Sequence, residues 1–432
     1  MTGITPPRKG LSRAPQVALS RSVGYTAAYR RQNPARNPVT PLTKNLVLIL
    51  FIGALAVFAA RQLSAALQAT DFPDFYCAAR MLADGQGPHL YDAATQRQYQ
   101  ARYSARVGTL YIHPPFEAIV YLAVAWLPLQ SAYVLWFVLS LGFLAIADYT
   151  FAHAALKDWN WHWLFVAAVT FAPVLLCLIQ GQDSLLLLLL VVMAFLNLRR
   201  GRAFAAGCWL GLALFKFQIA VPLGIMLLFA WGAKARWHFA RGLVLVGAVL
   251  AAISAVLCGG RVFAAYPAFL LHLKTDRYAG IYPEAMGNLR GLIYLFFHRD
   301  QSAIAVAILA AASVGLLLKS IAEWRRVPAI PDDPISEREL DRAFANSILV
   351  ALLVSYHLNP HDLSLLMIPI ALVLKDRSWL AEKGFARGMT PALLALIFLP
   401  LLHIWALKTA VYGLVALPLL GLLARNRRPQ QI

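Results

Sequence analysis

The chain has 432 residues, 60% of them hydrophobic and only 14% charged, with a formal net charge of +19. A soluble protein needs a largely polar exterior, and this composition leaves too much apolar surface to hide in a core. The positive charge collects at the chain ends and in short segments between apolar runs, which is the cytoplasmic bias of membrane loops rather than a nucleic-acid surface. Cys77, Cys177, Cys208 and Cys258 have neither disulfide-framework nor zinc spacing and read as small apolar residues.

Residues 1–44 carry eight lysines and arginines, several prolines and no acid, so they read as a disordered cytoplasmic tail. The first apolar run, 45–67, starts too late to be a cleavable signal peptide and is taken as the first span. Residues 68–115 are polar and form the first extracytoplasmic loop. Two short helices are expected there: 74–84, stopped by Gly85, and one capped by Asp92 that runs through Thr95 and Tyr99.

Further apolar segments follow at 116–128, 131–155, 163–179, 183–198, 203–215, 217–231, 240–258, 302–320, 343–357, 361–375, 389–405 and 407–424. Segment 116–128 is short and bounded by Pro114–Pro115 and Pro128, which suits a re-entrant element. Residues 203–231 are few for two crossings, yet basic clusters flank them on both sides. A tight hairpin with Lys216 at its apex satisfies both facts; the competing reading is one tilted helix with a snorkelling lysine. Residues 259–286 read as a loop. The fold class is therefore an all-α polytopic membrane protein of about twelve transmembrane helices with a re-entrant segment. Its transmembrane domain spans 45–424, and 425–432 is a second cytoplasmic tail.

Orientation follows from the basic loops. Arg199, Arg200 and Arg202, then Lys234, Arg236 and Arg241, then Lys375, Arg377 and the tail arginines are expected in the cytoplasm, with both termini. The unusual polar residues then share the opposite face: Asp71, Asp74, His113, Gln180, Gln182, Lys216, Asn288, Arg290, His357, Asn359, His361 and Asp362. Ionisable groups at membrane depth are costly and usually have a task or a partner. A carboxylate facing cations at the water–lipid boundary suits an anionic amphiphile. Lys216 and Arg290 can hold a phosphate, and a carboxylate can take a proton from an attacking hydroxyl.

The string TDFPDFYCAARMLADGQGPHLYD (70–92) resembles the first external loop of glycosyltransferase family 87. Four other stretches agree in order and spacing: YIHPPFEAIVYLAVAWLPL (111–129), IQGQDSLLLLLL (179–190), AAGCWLGLALFKFQIAVPL (205–223) and YHLNPHDLSLLMIPIAL (356–372). The resemblance implies a GT-C-type membrane fold and a polyprenyl-phosphate sugar as donor. It also implies an acidic catalytic residue in the first external loop. Asp71 matches that position best and would deprotonate the acceptor hydroxyl, inverting the sugar carbon; Asp74 is the rival, and Asp71 as a plain helix cap is the structural alternative.

The resemblance further implies a phosphate-facing role for Lys216. His357 and His361, with Asn359 between them, are candidates for phosphate or acceptor, or for simple loop histidines. Gln180 and Gln182 are candidates for hydrogen bonds to the sugar, and Asn288 and Arg290 for the headgroup. His113 stands where the family more often has an aromatic or small residue. No cluster has the spacing of a metal site, so neither metal nor cofactor is expected.

The resulting expectation is a multi-pass enzyme of a bacterial inner membrane. It moves a hexose such as mannose from a polyprenyl-phosphate sugar to a glycan or glycolipid acceptor on the periplasmic face, with membrane lipids as its other partners and no nucleic acid. A transporter or flippase for a lipid-linked anion is the alternative, disfavoured because the two halves show no repeat. A non-catalytic scaffold is a third reading, and it requires Asp71→Asn to be harmless.

Overall fold

The computed structural model describes residues 70–103, 109–157, 159–272, 282–297, 302–328, 334–375, 414–417 and 419–420, with 50, 53 and 67. The span expected at 45–67, the last two spans and both tails lie essentially outside the described residues. Within them the chain is helical, and no strand occurs.

Helix α1 (Phe72–Ala83) starts two residues earlier than the sequence suggests. Pro73 sits in its first turn, where a missing N–H costs nothing, and Asp74 there favours the positive end of the dipole. It stops at Gly85, whose φ of +74° suits glycine, and Gln86 N–H donates back to Met81 O at 2.7 Å. Helix α2 (Ala93–Tyr103) begins where Asp92 Oδ2 accepts from Thr95 N at 3.0 Å, as expected. These bonds to Thr95 hold the Asp92 carboxyl below its usual range.

Helix α2 positions the next segment. The buried Gln96 side chain donates to Leu90 O and accepts from Tyr111 N, each at 2.7 Å, while Gln100 donates to Thr109 O at 2.6 Å. Residues 109–113 are thereby fixed beside α1. Helix α3 (Pro115–Ala125) packs on α1, with Phe75 stacked on Tyr121 at 4.7 Å between ring centroids. Tyr76 Oη caps its far end by donating to Leu127 O at 2.8 Å.

Among the described residues, four helical runs are long and apolar enough to cross a membrane: Leu129–Leu156, Ala203–Ala230, Lys234–Cys258 and Ala303–Trp324. The first contains α4 (Leu129–Phe151). The single span expected at 163–179 is instead two helices, α5 (Trp161–Thr170) and α6 (Ala172–Gln180), bent by 71°. Pro173, in the first turn of α6, has no N–H to continue the ladder of α5, and Phe171 between them is extended. Helix α7 (Ser184–Arg199) follows the left-handed Gly181.

The run Ala203–Ala230 doubles back. It comprises α8 (Ala203–Leu212), a tight turn Ala213–Lys216 and α9 (Phe217–Leu227), and Lys216 breaks the helix with φ −102° and ψ 56°. A methyl placed on Gly224 would touch Leu210 at 3.4 Å and Leu243 at 3.7 Å. Leu210 and Gly224 would be roughly 21 Å apart in one straight helix at about 1.5 Å per residue, so the expected hairpin forms and the tilted helix does not. Helix α10 (Ala233–Cys258) then runs parallel to α8 in close backbone contact, with Gly207 against Phe239 O and Gly242 against Phe204 O.

The stretch 259–286 is not simply a loop, because it contains α11 (Val262–His272). Next come α12 (Leu289–Phe297), unforeseen from the sequence, α13 (Ala303–Trp324), α14 (Pro334–Val354) and α15 (Met367–Lys375). Helix α14 starts nine residues before the expected span, through a charged stretch whose acids find partners. Arg199 and Lys375 donate to Asp341, and Arg199 also bonds Glu337. Arg199 and Lys375, both expected on the cytoplasmic side, thus share one carboxylate at the same end of the bundle.

Candidate active site

At the opposite helix ends, four turns converge: the N-terminus of α1, segment 109–113, the 180–183 turn between α6 and α7, and the 355–362 turn between α14 and α15. They enclose a cavity of about 220 Å³. Its lining includes Asp71, Asp74, His113, Gln180, Gln182, His357, Asn359 and His361, with Phe75, Tyr111 and Tyr282 as its aromatic walls. Eight of the twelve polar residues grouped on one face from sequence therefore meet around one space.

The two acids differ in their commitments. Asp74 Oδ1 accepts from Gln100 Nε2 at 2.9 Å and its Oδ2 accepts from the Thr109 hydroxyl, so it ties α1 to α2 and to segment 109–113. Asp71 occupies the N-cap position but makes no capping bond with its side chain. Its Oδ2 accepts from Gln182 Nε2 at 2.7 Å, and its Oδ1 has no hydrogen-bond partner among the described residues. Plain capping by Asp71 is thereby removed.

Behind the lining lies a buried ion cluster. Lys216 Nζ is 3.1 Å from Asp183 Oδ1 and 3.4 Å from Asp362 Oδ1, all three side chains being at most 1% exposed. Asp362 also accepts from the Ser184 hydroxyl at 2.7 Å and from Asn359 N at 3.0 Å, which shapes the turn carrying His357 and His361. His361 Nδ1 lies 2.9 Å from Gln180 Oε1 and so donates to it. His113 Nδ1 lies 2.9 Å from Glu117 Oε2. Burial first, and then the Lys216 charge, push the His113 imidazole down to about 4.

Three expected site residues do not reach the cavity, and each for a physical reason. Lys216 points from the hairpin apex into the acids behind the wall rather than into the cavity. Asn288 donates to Ser355 O at 2.6 Å. Arg290 donates to Tyr356 O at 3.0 Å and stacks over the Tyr356 ring. Both are buried supports of the turn that bears His357. Conversely, Glu117 and Asp183 were not singled out from the sequence, and Asp362 was placed on the polar face without a role. Each is an acid inside or beside an apolar run, a position where an acid is too costly to lack a partner. Among the described residues, no group of three or more His, Cys, Asp or Glu side chains is arranged to hold a metal ion.

No curated protein matches the chain, and no solved structure does. The family model of glycosyltransferase family 87 matches residues 111–355, more than half of the chain. The match takes in His113, Gln180, Gln182, Lys216, Asn288 and Arg290, and it leaves out Asp71, Asp74, His357, Asn359 and His361. Several long apolar helices and a match of that extent lead to one conclusion: the chain belongs to glycosyltransferase family 87, a family of membrane glycosyltransferases.

Proposed function

We propose that the chain transfers a hexose, such as mannose, from a polyprenyl-phosphate sugar to a hydroxyl of a glycan or glycolipid acceptor at the periplasmic face of a bacterial inner membrane. Asp71 is the general base. It withdraws the acceptor proton as the hydroxyl oxygen attacks the anomeric carbon; the bond to the phosphate oxygen breaks, and the configuration inverts. The observation that carries this reading is the contrast between the two cavity acids. Asp71 keeps an oxygen without a hydrogen-bond partner, whereas both oxygens of Asp74 are engaged in holding the loop.

The described lining contains no lysine or arginine. The phosphate of the donor therefore meets the imidazoles of His113, His357 and His361 and the amides of Gln180 and Asn359, with Lys216 acting from behind the wall. No metal is assigned a part. Tyr282, 49% exposed, offers an apolar face for the sugar ring.

The test is transfer from polyprenyl-phosphate mannose or glucose to candidate acceptors by purified protein in lipid. Asp71→Asn should lose on the order of 10²-fold or more of the rate, as removal of a general base does, while keeping its fold. Asp74→Asn should act mainly through stability. Equal transfer by wild type and both variants would overturn the assignment of Asp71 as the base, and no transfer by any of the three folded proteins would leave the scaffold reading.

A further inference from the structure

Gln182 reads from sequence as a sugar ligand, but the structure gives both ends of its amide to protein. Its Nε2 donates to Asp71 Oδ2 at 2.7 Å and its Oε1 accepts from Lys216 Nζ at 3.4 Å. Gln182 is 2% exposed and Lys216 1%. A carboxylate only accepts and an ammonium only donates, so these two partners admit one orientation of the amide. The relay is anchored at its far end, where Lys216 is gripped by Asp183 and Asp362 on two different turns. It is also tight at the backbone: a methyl on the left-handed Gly181 would collide with Phe72 at 2.7 Å, which fixes the 180–183 turn against the residue following Asp71.

We propose that Gln182 is the positioning residue for the Asp71 base, and that Lys216 sets the amide of Gln182 so that its N–H₂ end, not its carbonyl, faces the carboxylate. The inference rests on Asp71 being the base. Its chemical content is that one oxygen of Asp71 is held by a neutral donor, which leaves the other aimed into the cavity for the acceptor hydroxyl. The hairpin apex thus acts on catalysis through two hydrogen bonds and touches no substrate.

The test compares Gln182→Glu and Gln182→Leu with wild type and Asp71→Asn. All are purified in lipid, assayed for transfer from polyprenyl-phosphate mannose or glucose from pH 4 to 9, and checked for folding by size exclusion and thermal unfolding. In Gln182→Glu two carboxyls stand at hydrogen-bond distance and cannot both ionise cheaply, so the acid limb of the kcat/KM profile should move up by one unit or more. Gln182→Leu removes only the aim, so kcat should fall roughly 10- to 100-fold with KM little changed.

A Gln182→Glu profile superimposed on that of wild type, while Asp71→Asn is inactive, would overturn the relay and leave the base assignment standing. An active Asp71→Asn would remove the base assignment itself. A rise in KM alone for Gln182→Leu would return Gln182 to the role of sugar ligand.

Discussion

Replacing Lys216 by methionine keeps the side-chain volume and removes the charge. The lysine faces two carboxylates, Asp183 at 3.1 Å and Asp362 at 3.4 Å, in a region where none of the three side chains is more than 1% exposed. At an effective dielectric of about 20, each contact is an attraction of ~5 kcal/mol. Most of that is offset by taking the ions out of water, several kcal/mol apiece. The net worth of the intact cluster is therefore small, but breaking it is not.

Without the lysine, the Asp362 carboxylate stays buried with no cation, beside Asp183, whose carboxyl burial pushes up to about 8, and the expected loss is ~3–5 kcal/mol. Asp183→Asn leaves one lysine against Asp362, a balanced pair, and should cost only ~1–2 kcal/mol for the imperfectly replaced hydrogen bond. The assay is unfolding of the detergent-solubilised protein by titration with SDS, followed by tryptophan fluorescence. If Lys216→Met unfolds within about 0.5 kcal/mol of wild type, or if it costs less than Asp183→Asn, the charge argument for the hairpin apex is wrong.

Two further outcomes follow from the packing and titration of the same region. His113 is held neutral in the folded chain, since its imidazole is pushed down to about 4, so the unfolded chain binds the proton first. The folded state should keep its full stability above pH ~6.5 and lose it as the pH falls towards 4. His113→Gln should flatten that decline, by up to ~3 kcal/mol at its largest; unfolding curves from pH 7 to 4 with the same slope in both proteins would refute this. Gly207→Ala drives a methyl into Phe239 O and must push α8 off α10, whereas Gly142→Ala meets nothing within 4 Å. The first should lose ~1–3 kcal/mol and the second should lose nothing, as read from their melting temperatures.

The sequence by itself determined what depends on local pattern. Apolar runs, prolines and basic turns are short-range signals, so the membrane class, the Asp92 cap, the Gly85 stop and the hairpin at 203–231 were all legible. The grouping of polar turns at one end was also legible, because arginine-rich turns fix the parity of the helices between them; that is why eight candidates line one cavity. The family likeness was carried by the same turns and by residues 111–355.

What only the tertiary structure decided is direction. Whether Lys216 faces a substrate or two carboxylates depends on Asp183 and Asp362, both distant from it in sequence, and no periodicity reports a side chain's partner. The same holds for Asn288 and Arg290, which turn towards the backbone of residues 355 and 356. The difference in hydrogen bonding between Asp71 and Asp74 also lay beyond the sequence. They stand three residues apart in one helix turn, and Gln100, Thr109 and Gln182, brought in from three other segments, separate the acid that holds the loop from the acid with an oxygen to spare.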